Sequence, residues 1–227
     1  MSKKRITVLL VEDHTIVREG IRSLLKMEAD FELVGEAEDG RRAVALAIKL
    51  RPAVVVMDIA MPLLNGLEAT RQILKAVPST KILILSAHSD DKYVKNARES
   101  GAIGFLPKQT SVRLLCEGIR EVNNGHNFFG RVIPKRLPRG ERKSSDQGGP
   151  TKPCKAGLTS REMEVLQLIA EGKANKQIAA ELSISIWTVE KHRQKAAKKL
   201  NIQGTAGLTR YAVNAGIIES SVQVTIV

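Results

Sequence analysis

The sequence predicts an α/β protein, a parallel sheet covered by helices on both faces, followed by a small all-α domain. Three observations lead there. Five short apolar runs rich in Val, Ile and Leu alternate with stretches of helical period up to residue 125. Polar residues stand at the ends of those runs, where open α/β sheets hold their ligands. After a break rich in Pro, Gly and Ser, the helical period returns without strands.

Residues 6–11 (ITVLLV) read as the first strand, ending in Glu12-Asp13-His14. From 15 to 27, Ile16, Val17, Ile21, Leu24 and Leu25 follow the helical period. Residues 31–37 are a second strand, and 40–50 a helix stopped by Arg51-Pro52. Val54-Val55-Val56-Met57 is the third strand; its β-branched run suits a strand buried on both faces, and Asp58 stands at its end. Met61-Pro62 and Asn65-Gly66 form a loop that leads into a helix over 67–77, closed by Pro78. The fourth strand is 82–85, with Ser86 at its end, and the next helix, 91–100, closes on Gly101 as a C-cap. Residues 103–106 are the fifth strand, ending in Pro107-Lys108, and Ser111 caps a helix that runs to Asn124-Gly125.

A chain of 227 residues accommodates two domains, each able to bury its own core, and 43% hydrophobic with 26% charged residues suits a folded, soluble protein. No apolar run approaches the roughly 20 residues that cross a bilayer. The basic start leads straight into a strand without a cleavage site. A cytoplasmic protein with no membrane partner is expected. Its two cysteines, Cys116 and Cys154, form no metal-ligand cluster, and no disulfide is expected. The net charge of +12 is uneven: residues 131–157 carry eight Lys and Arg against two acidic residues, and 158–227 carry nine against six. A basic tether beside a basic domain points to a polyanion such as nucleic acid.

Glu12, Asp13, Asp58, Ser86 and Lys108 all open onto one edge of the predicted sheet. Carboxylates gathered there repel one another unless a cation stands among them. An oxygen site with few protein ligands suits Mg²⁺, which keeps water and shares its shell with phosphate. Lys108 and the Ser86 hydroxyl then offer charge and a hydrogen bond to phosphoryl oxygens.

Residues 5–125 thereby resemble the receiver domain of two-component response regulators. The resemblance rests on Glu12-Asp13, Asp58 followed by Met61-Pro62 and Gly66, Ser86, and Phe105-Leu106-Pro107-Lys108. It implies a flavodoxin-like (βα)5 fold, with Asp58 as the phosphoacceptor for a sensor histidine kinase. It also implies Mg²⁺ held by Glu12, Asp13, Asp58 and the Ala60 backbone carbonyl, with Ser86 and Phe105 as switch residues. Glu12 replaces the commoner Asp, and Phe105 stands where Tyr is frequent, so only ring packing can switch there. His14 is expected to cap a helix or pack at the surface, and His88 to flank the phosphoryl site.

From 131 to 157, Pro134, Pro138, Gly140, Gly148-Gly149-Pro150 and Pro153 allow neither helix nor strand to persist, and this stretch reads as a basic flexible linker. Thr159 with Glu162 forms a capping box, and Val165, Leu166, Leu168 and Ile169 supply one buried helix face. Asn175 is expected to cap a short helix over 176–182. After a tight break Ser185 caps a third helix to Leu200, which makes a helix-turn-helix. Val189, Ala196 and Leu200 take the core side, Lys191, Gln194, Lys195 and Lys198 another face, and Trp187 is expected in core or turn packing.

Residues 158–217 resemble the LuxR-type helix-turn-helix of NarL/FixJ-family regulators. The carriers are Leu158-Thr159, Arg161-Glu162, Glu164-Val165-Leu166, Ala170-Glu171-Gly172, Asn175-Lys176, Ile178-Ala179, Thr188-Val189, His192 and Lys199-Leu200. The resemblance implies double-stranded DNA as partner and a homodimer on activation through the helix after Thr205. The expected DNA contacts are Lys176, Ser185, Thr188, Glu190, Lys191, Gln194, Lys195 and Lys198. Glu190 departs from the frequent Lys, and Ala196-Ala197 should thin the packing beneath the helix.

The resulting expectation is a receiver over 1–130, a linker over 131–157 and a DNA-binding domain over 158–227. It is expected to be a transcription regulator and not an enzyme, apart from promoting its own Mg²⁺-dependent phosphoryl transfer and loss. The unphosphorylated receiver is expected to mask the recognition helix or the last helix. The competing reading is a phosphorylation-independent regulator whose receiver serves only for dimerisation. A phosphotransfer enzyme is disfavoured, because no glycine-rich phosphate loop or nucleophile elbow occurs.

Overall fold

The computed structural model describes residues 5–129 and 157–218. The expected linker, apart from Gly157, lies outside these residues, as do Cys154 and the tail from Glu219 onward. Strands β1 (Ile6–Val11), β2 (Phe31–Ala37), β3 (Val54–Asp58), β4 (Lys81–Ser86) and β5 (Gly104–Pro107) form one sheet in the order β2-β1-β3-β4-β5, every neighbour parallel. The strand order reverses between β1 and β3. The carboxyl ends on either side of that reversal are where a crevice opens in this class of sheet.

Helices α1 (Thr15–Met27), α2 (Gly40–Leu50), α3 (Gly66–Ala76) and α4 (Asp91–Ser100) cross over between the strands, and α5 (Val112–Asn123) follows the last of them. Side chains alternate along each strand, so the two faces build separate cores. Leu9, Val11, Val55, Met57, Ile82, Ile84 and Phe105 pack under α2, α3 and α4. Val8, Leu10, Val54, Val56, Leu83, Leu85 and Leu106 pack under α1 and α5. All of β3 is buried, as a central parallel strand covered twice must be. β3 and β4 each extend further than their apolar runs. Asp58 pairs in register with Leu85 and Ser86 with Pro107, so the polar strand ends belong to the ladder itself.

The predicted Gly101 cap is present with φ 97°, the left-handed conformation glycine accepts without a Cβ clash. Helix α3 starts at Gly66 because Asn65 is its N-cap, accepting from the Glu68 N–H at 3.0 Å. Gly66 is required for a different reason. A Cβ there would meet the Asp58 carbonyl oxygen at 1.8 Å, and the Gly66 N–H donates to the Ile59 carbonyl at 2.8 Å. The loop after β3 folds back directly onto the strand end.

The C-terminal helices are α6 (Ser160–Ala170), α7 (Asn175–Leu182), α8 (Ile186–Leu200) and α9 (Gly204–Asn214). Val165, Leu166, Leu168, Ile178, Val189, Leu208 and Ile217 make their core. The Thr159–Glu162 capping box is formed in both directions, and Lys199 pairs with Glu162 at 2.6 Å. Asn175 is not a cap. Ala174 holds the N-cap position, its N–H donating to Gln177 at 2.8 Å, because a long amide three residues on reaches back as well as a short side chain at the cap would.

Gly66→Ala should lower stability by about 3 kcal/mol, because the added methyl meets backbone and not a movable side-chain tip. Gly20→Ala, in helix and with open space around it, should be neutral or stabilise by about 0.5–1 kcal/mol. Chemical denaturation of both variants distinguishes the two, and equal midpoints would show that the loop yields at Gly66.

Candidate functional site: an acidic crevice and a basic helix face

Glu12 follows β1, Asp58 ends its neighbour β3, and Lys108 follows β5 and reaches across the end of β4 to both. Glu12 is 1% exposed and Asp58 2%. The Lys108 Nζ lies 2.8 Å from Asp58 Oδ2 and 2.9 Å from the Glu12 carboxylate, and its N–H donates to the Ser86 carbonyl at 2.7 Å. Asp58 Oδ1 accepts from the Ile59 N–H at 2.7 Å. Burial and the neighbouring Glu12 charge push the Asp58 carboxyl up to about 7, against the opposing pull of Lys108 and Ile59. Burial works to lower the Lys108 ammonium, but Asp58 and Glu12 outweigh it and hold it above the ordinary lysine range.

Asp13 completes the crevice. Glu12, Asp13, His14 and Asp58 each place a ligand atom within 4.8 Å of the others. Glu12 Oε2 and Asp13 Oδ1 are buried and make no well-aligned hydrogen bond, their nearest nitrogens being Lys108 Nζ at 2.9 Å and His14 Nδ1 at 2.8 Å. Buried acceptor oxygens with lone pairs to spare, set among three carboxylates, fit a hard cation. Ala60 lines a cavity of about 440 Å³ that begins at Asp13 and His14. His14 stands at the N-cap position of α1 without capping it. Its Nδ1 lies 2.8 Å from Asp13 and 3.1 Å from Glu12, and the Asp13 charge raises its pKa despite a smaller desolvation effect. The capping reading gives way because the acidic pair attracts the ring more than the helix end does.

Ser86 is buried, its Oγ accepting from the His88 N–H at 3.1 Å. The His88 ring stacks on Tyr93 at 4.8 Å. Phe105 is 1% exposed, so its ring is already inside the core beneath α3 and α4.

The second cluster lies on α7 and α8. Lys176, Glu190, Lys191, Gln194, Lys195 and Lys198 are exposed, while Val189 and Ala196 face the core. Ser185 and Thr188 satisfy each other. The Ser185 Oγ caps the helix by accepting from the Thr188 N–H at 3.1 Å, and the two hydroxyls lie 2.8 Å apart. Trp187 is not in the core: it is 63% exposed, because the helical period sets it opposite Val189 and Ala196. A shallow surface hollow beside Ala197 is lined by Gln194, Lys198 and Asn201, while Ala196 is buried.

Residues 8–120 match the response regulator receiver domain model, and 156–212 match the bacterial regulatory protein, luxR family, model. The transcriptional regulatory protein LiaR of Bacillus subtilis is 38% identical over 208 residues, covering 91% of this chain and 96% of that one. The transcriptional regulatory protein DegU of Brevibacillus brevis is 36% identical over 214 residues, covering 89% and 90%. This chain is a two-component response regulator. It belongs to the NarL/FixJ family and carries a LuxR-type DNA-binding domain, which makes it a transcription regulator. Among solved structures, that of the RcsB response regulator with DNA aligns with TM-score 0.53 at 26% identity, covering 92% of this chain and 98% of that one. No described helix is long and apolar enough to cross a membrane.

In the regulator the two clusters are joined by contacts that sequence reasoning missed. The loop between β3 and α3 meets α6. Gln167 is fully buried; its Oε1 accepts from the Asn65 N–H at 2.8 Å and its Nε2 donates to the Met61 carbonyl at 2.9 Å. Glu171 accepts from the Leu63 N–H at 3.1 Å, and burial raises its pKa. Gln72 donates to Glu164 at 2.9 Å, and Arg41 to the Glu181 carbonyl at 2.8 Å. Leu63, held at φ 67°, packs into the core of the DNA-binding domain. The expected masking of the recognition helix is not seen, because α6 takes the receiver contact and leaves the outer face of α8 exposed.

Asp58→Asn should raise stability at pH 8 in metal-free buffer. Above a pKa of about 7 the buried carboxylate is ionised, and the amide removes that burden while still accepting from Lys108. Millimolar Mg²⁺ should raise the melting temperature of the native chain by a few degrees and leave the variant nearly unmoved. Thermal melts with and without Mg²⁺ test both statements, and an equal Mg²⁺ response in the two proteins would count against the crevice as the cation site.

Proposed function

We propose that Asp58 accepts a phosphoryl group from a sensor histidine kinase and that the modification controls DNA binding by the C-terminal domain. The observation that carries this is the buried Asp58 carboxylate, bonded to Lys108 and set within reach of the Glu12 and Asp13 carboxylates. Asp58 Oδ attacks phosphorus, an O–P bond forms, the P–N bond of the kinase phosphohistidine breaks, and the leaving imidazole regains a proton. Glu12, Asp13, Asp58 and the Ala60 carbonyl hold Mg²⁺ in this reading. The chemistry it supplies when bound is neutralisation of charge on the phosphoryl oxygens. Lys108 then turns from the Asp58 carboxylate to the acyl phosphate, and the Ser86 hydroxyl donates to it. Phe105, already inside, packs against the rearranged strand ends.

The domains follow as a receiver over 1–130, a linker over 131–157 and a DNA-binding domain over 158–227. Lys176, Glu190, Lys191, Gln194, Lys195 and Lys198 face DNA, and Ser185 and Thr188 order the start of that face. Phosphorylation rearranges the loop from Ile59 to Asn65, which both follows Asp58 and receives Gln167 and Glu171. The loop releases α6, and a two-fold dimer forms through α9 and binds paired half-sites.

Intact mass after incubation with Mg²⁺ and a small phosphoryl donor should show a single adduct, absent in Asp58→Ala and absent without Mg²⁺. No adduct under conditions that label another receiver would favour the phosphorylation-independent reading. Gln167→Ala should weaken domain docking by about 1–3 kcal/mol, since it leaves Asn65 and Met61 groups unpaired. Unphosphorylated Gln167→Ala should therefore bind DNA and dimerise more tightly than the native chain in gel shifts and sedimentation. Unchanged affinity would place the control elsewhere than this contact.

A further inference from the structure

Trp187 is the single tryptophan of 227 residues, and it is 63% exposed. Ile186 beside it is 46% exposed. Large apolar side chains at the surface are informative when they sit together beside charge and not scattered singly. These two occupy the first turn of α8, the part of a recognition helix that reaches base edges.

Spacing settles which way the indole faces. Trp187, Lys191, Gln194 and Lys198 follow one another at intervals of four, three and four residues, which is one row along a helix. The core residues Val189 and Ala196 lie on the other side. The Lys191 Nζ stands 3.5 Å from the centroid of the indole, a cation–π contact that holds the ring against the helix surface. Among the described residues the indole Nε1–H has no hydrogen-bond acceptor. An oriented apolar plate thus stands at the N-terminal end of a row that continues with Lys191 and Lys198, where phosphates are attracted beside it.

Resting on the reading of this helix face as the DNA face, we propose that Trp187 is a base-reading residue. Its ring packs in the major groove against the C5-methyl group of thymine and gives the regulator a preference for T at that step. Lysines position a protein on the phosphates without reading sequence, whereas thymine methyl is the apolar mark that the major groove displays. Lys191 acts as the positioning residue, setting the plane of the indole.

The full-length protein, phosphorylated or carrying Gln167→Ala, would select duplexes from a random pool, and the selected duplex would then be used as the ligand. Because the chain has one tryptophan, its emission reports from this site alone. Binding should change that emission and protect the indole from acrylamide quenching. Trp187→Ala, expected to keep the native melting temperature, should bind the duplex about tenfold more weakly with the salt slope unchanged. Lys191→Ala should instead flatten that slope. Replacing thymine by deoxyuridine, which lacks only the methyl, should weaken the native protein and leave Trp187→Ala unaffected. Native affinity and base preference in Trp187→Ala, or indifference of the native chain to the missing methyl, would overturn the proposal while the DNA face stands. Failure of the native chain to enrich any duplex would overturn that face and this inference together.

Discussion

One ammonium group holds the receiver crevice together. Lys108 lies within 2.9 Å of two carboxylates that are almost wholly buried, and without it Glu12 and Asp58 would face each other at the ends of two adjacent strands with no counter-charge. The ion triad is costly to desolvate, which is why the Asp58 carboxyl is driven up to about 7 even with its partner in place. Such a site is poised: a further positive charge, or a phosphoryl group that gives the ammonium a better anion, redistributes every bond in it. The close approach of Gly66 to the Asp58 carbonyl passes that redistribution into the following loop, since no side chain cushions the contact.

The fold was legible where burial is two-sided. Val54 to Met57 reads as a central parallel strand because nothing but a doubly covered strand tolerates that run, and Glu12, Asp58, Ser86 and Lys108 stand out as the polar residues that end such strands. Strand limits moved because the ladder, not the apolar run, decides where pairing stops. What was not legible shares one cause. Gln167, Glu171 and Glu164 fall on the polar side of α6, and helical period cannot tell a face turned to water from one turned to another domain. Trp187, expected in core or turn packing, is not in the core, because the period sets it opposite Val189. His14 lies at the surface, one of its two expected places, but does not cap α1, because the charges of Glu12 and Asp13 draw its ring.

The exposed outer side of α8 changes how control must work. A receiver that covered the recognition helix would compete with DNA directly. Here α6 is engaged, and Gly216, just beyond α9, lies against the Tyr93 ring. The outer side chains of α8 are exposed while the C-terminal domain is held in one orientation. In the proposed dimer, two copies held this way would have to turn before their half-sites could be spaced along one duplex.

The described docking contacts are mostly polar, made by amides, carboxylates and one guanidinium, with Leu63 as an apolar plug. Undocking hands those groups to water, which serves them nearly as well, so each hydrogen bond contributes only about 1 kcal/mol net. Hydration of apolar surface is what gives protein transitions their large heat capacity, and polar contacts carry little of it. The balance between docked and free forms therefore shifts gently with temperature, unlike the melting of either core. A bacterium that warms or cools would keep this latch near the same setting, leaving the chemical signal as what moves it.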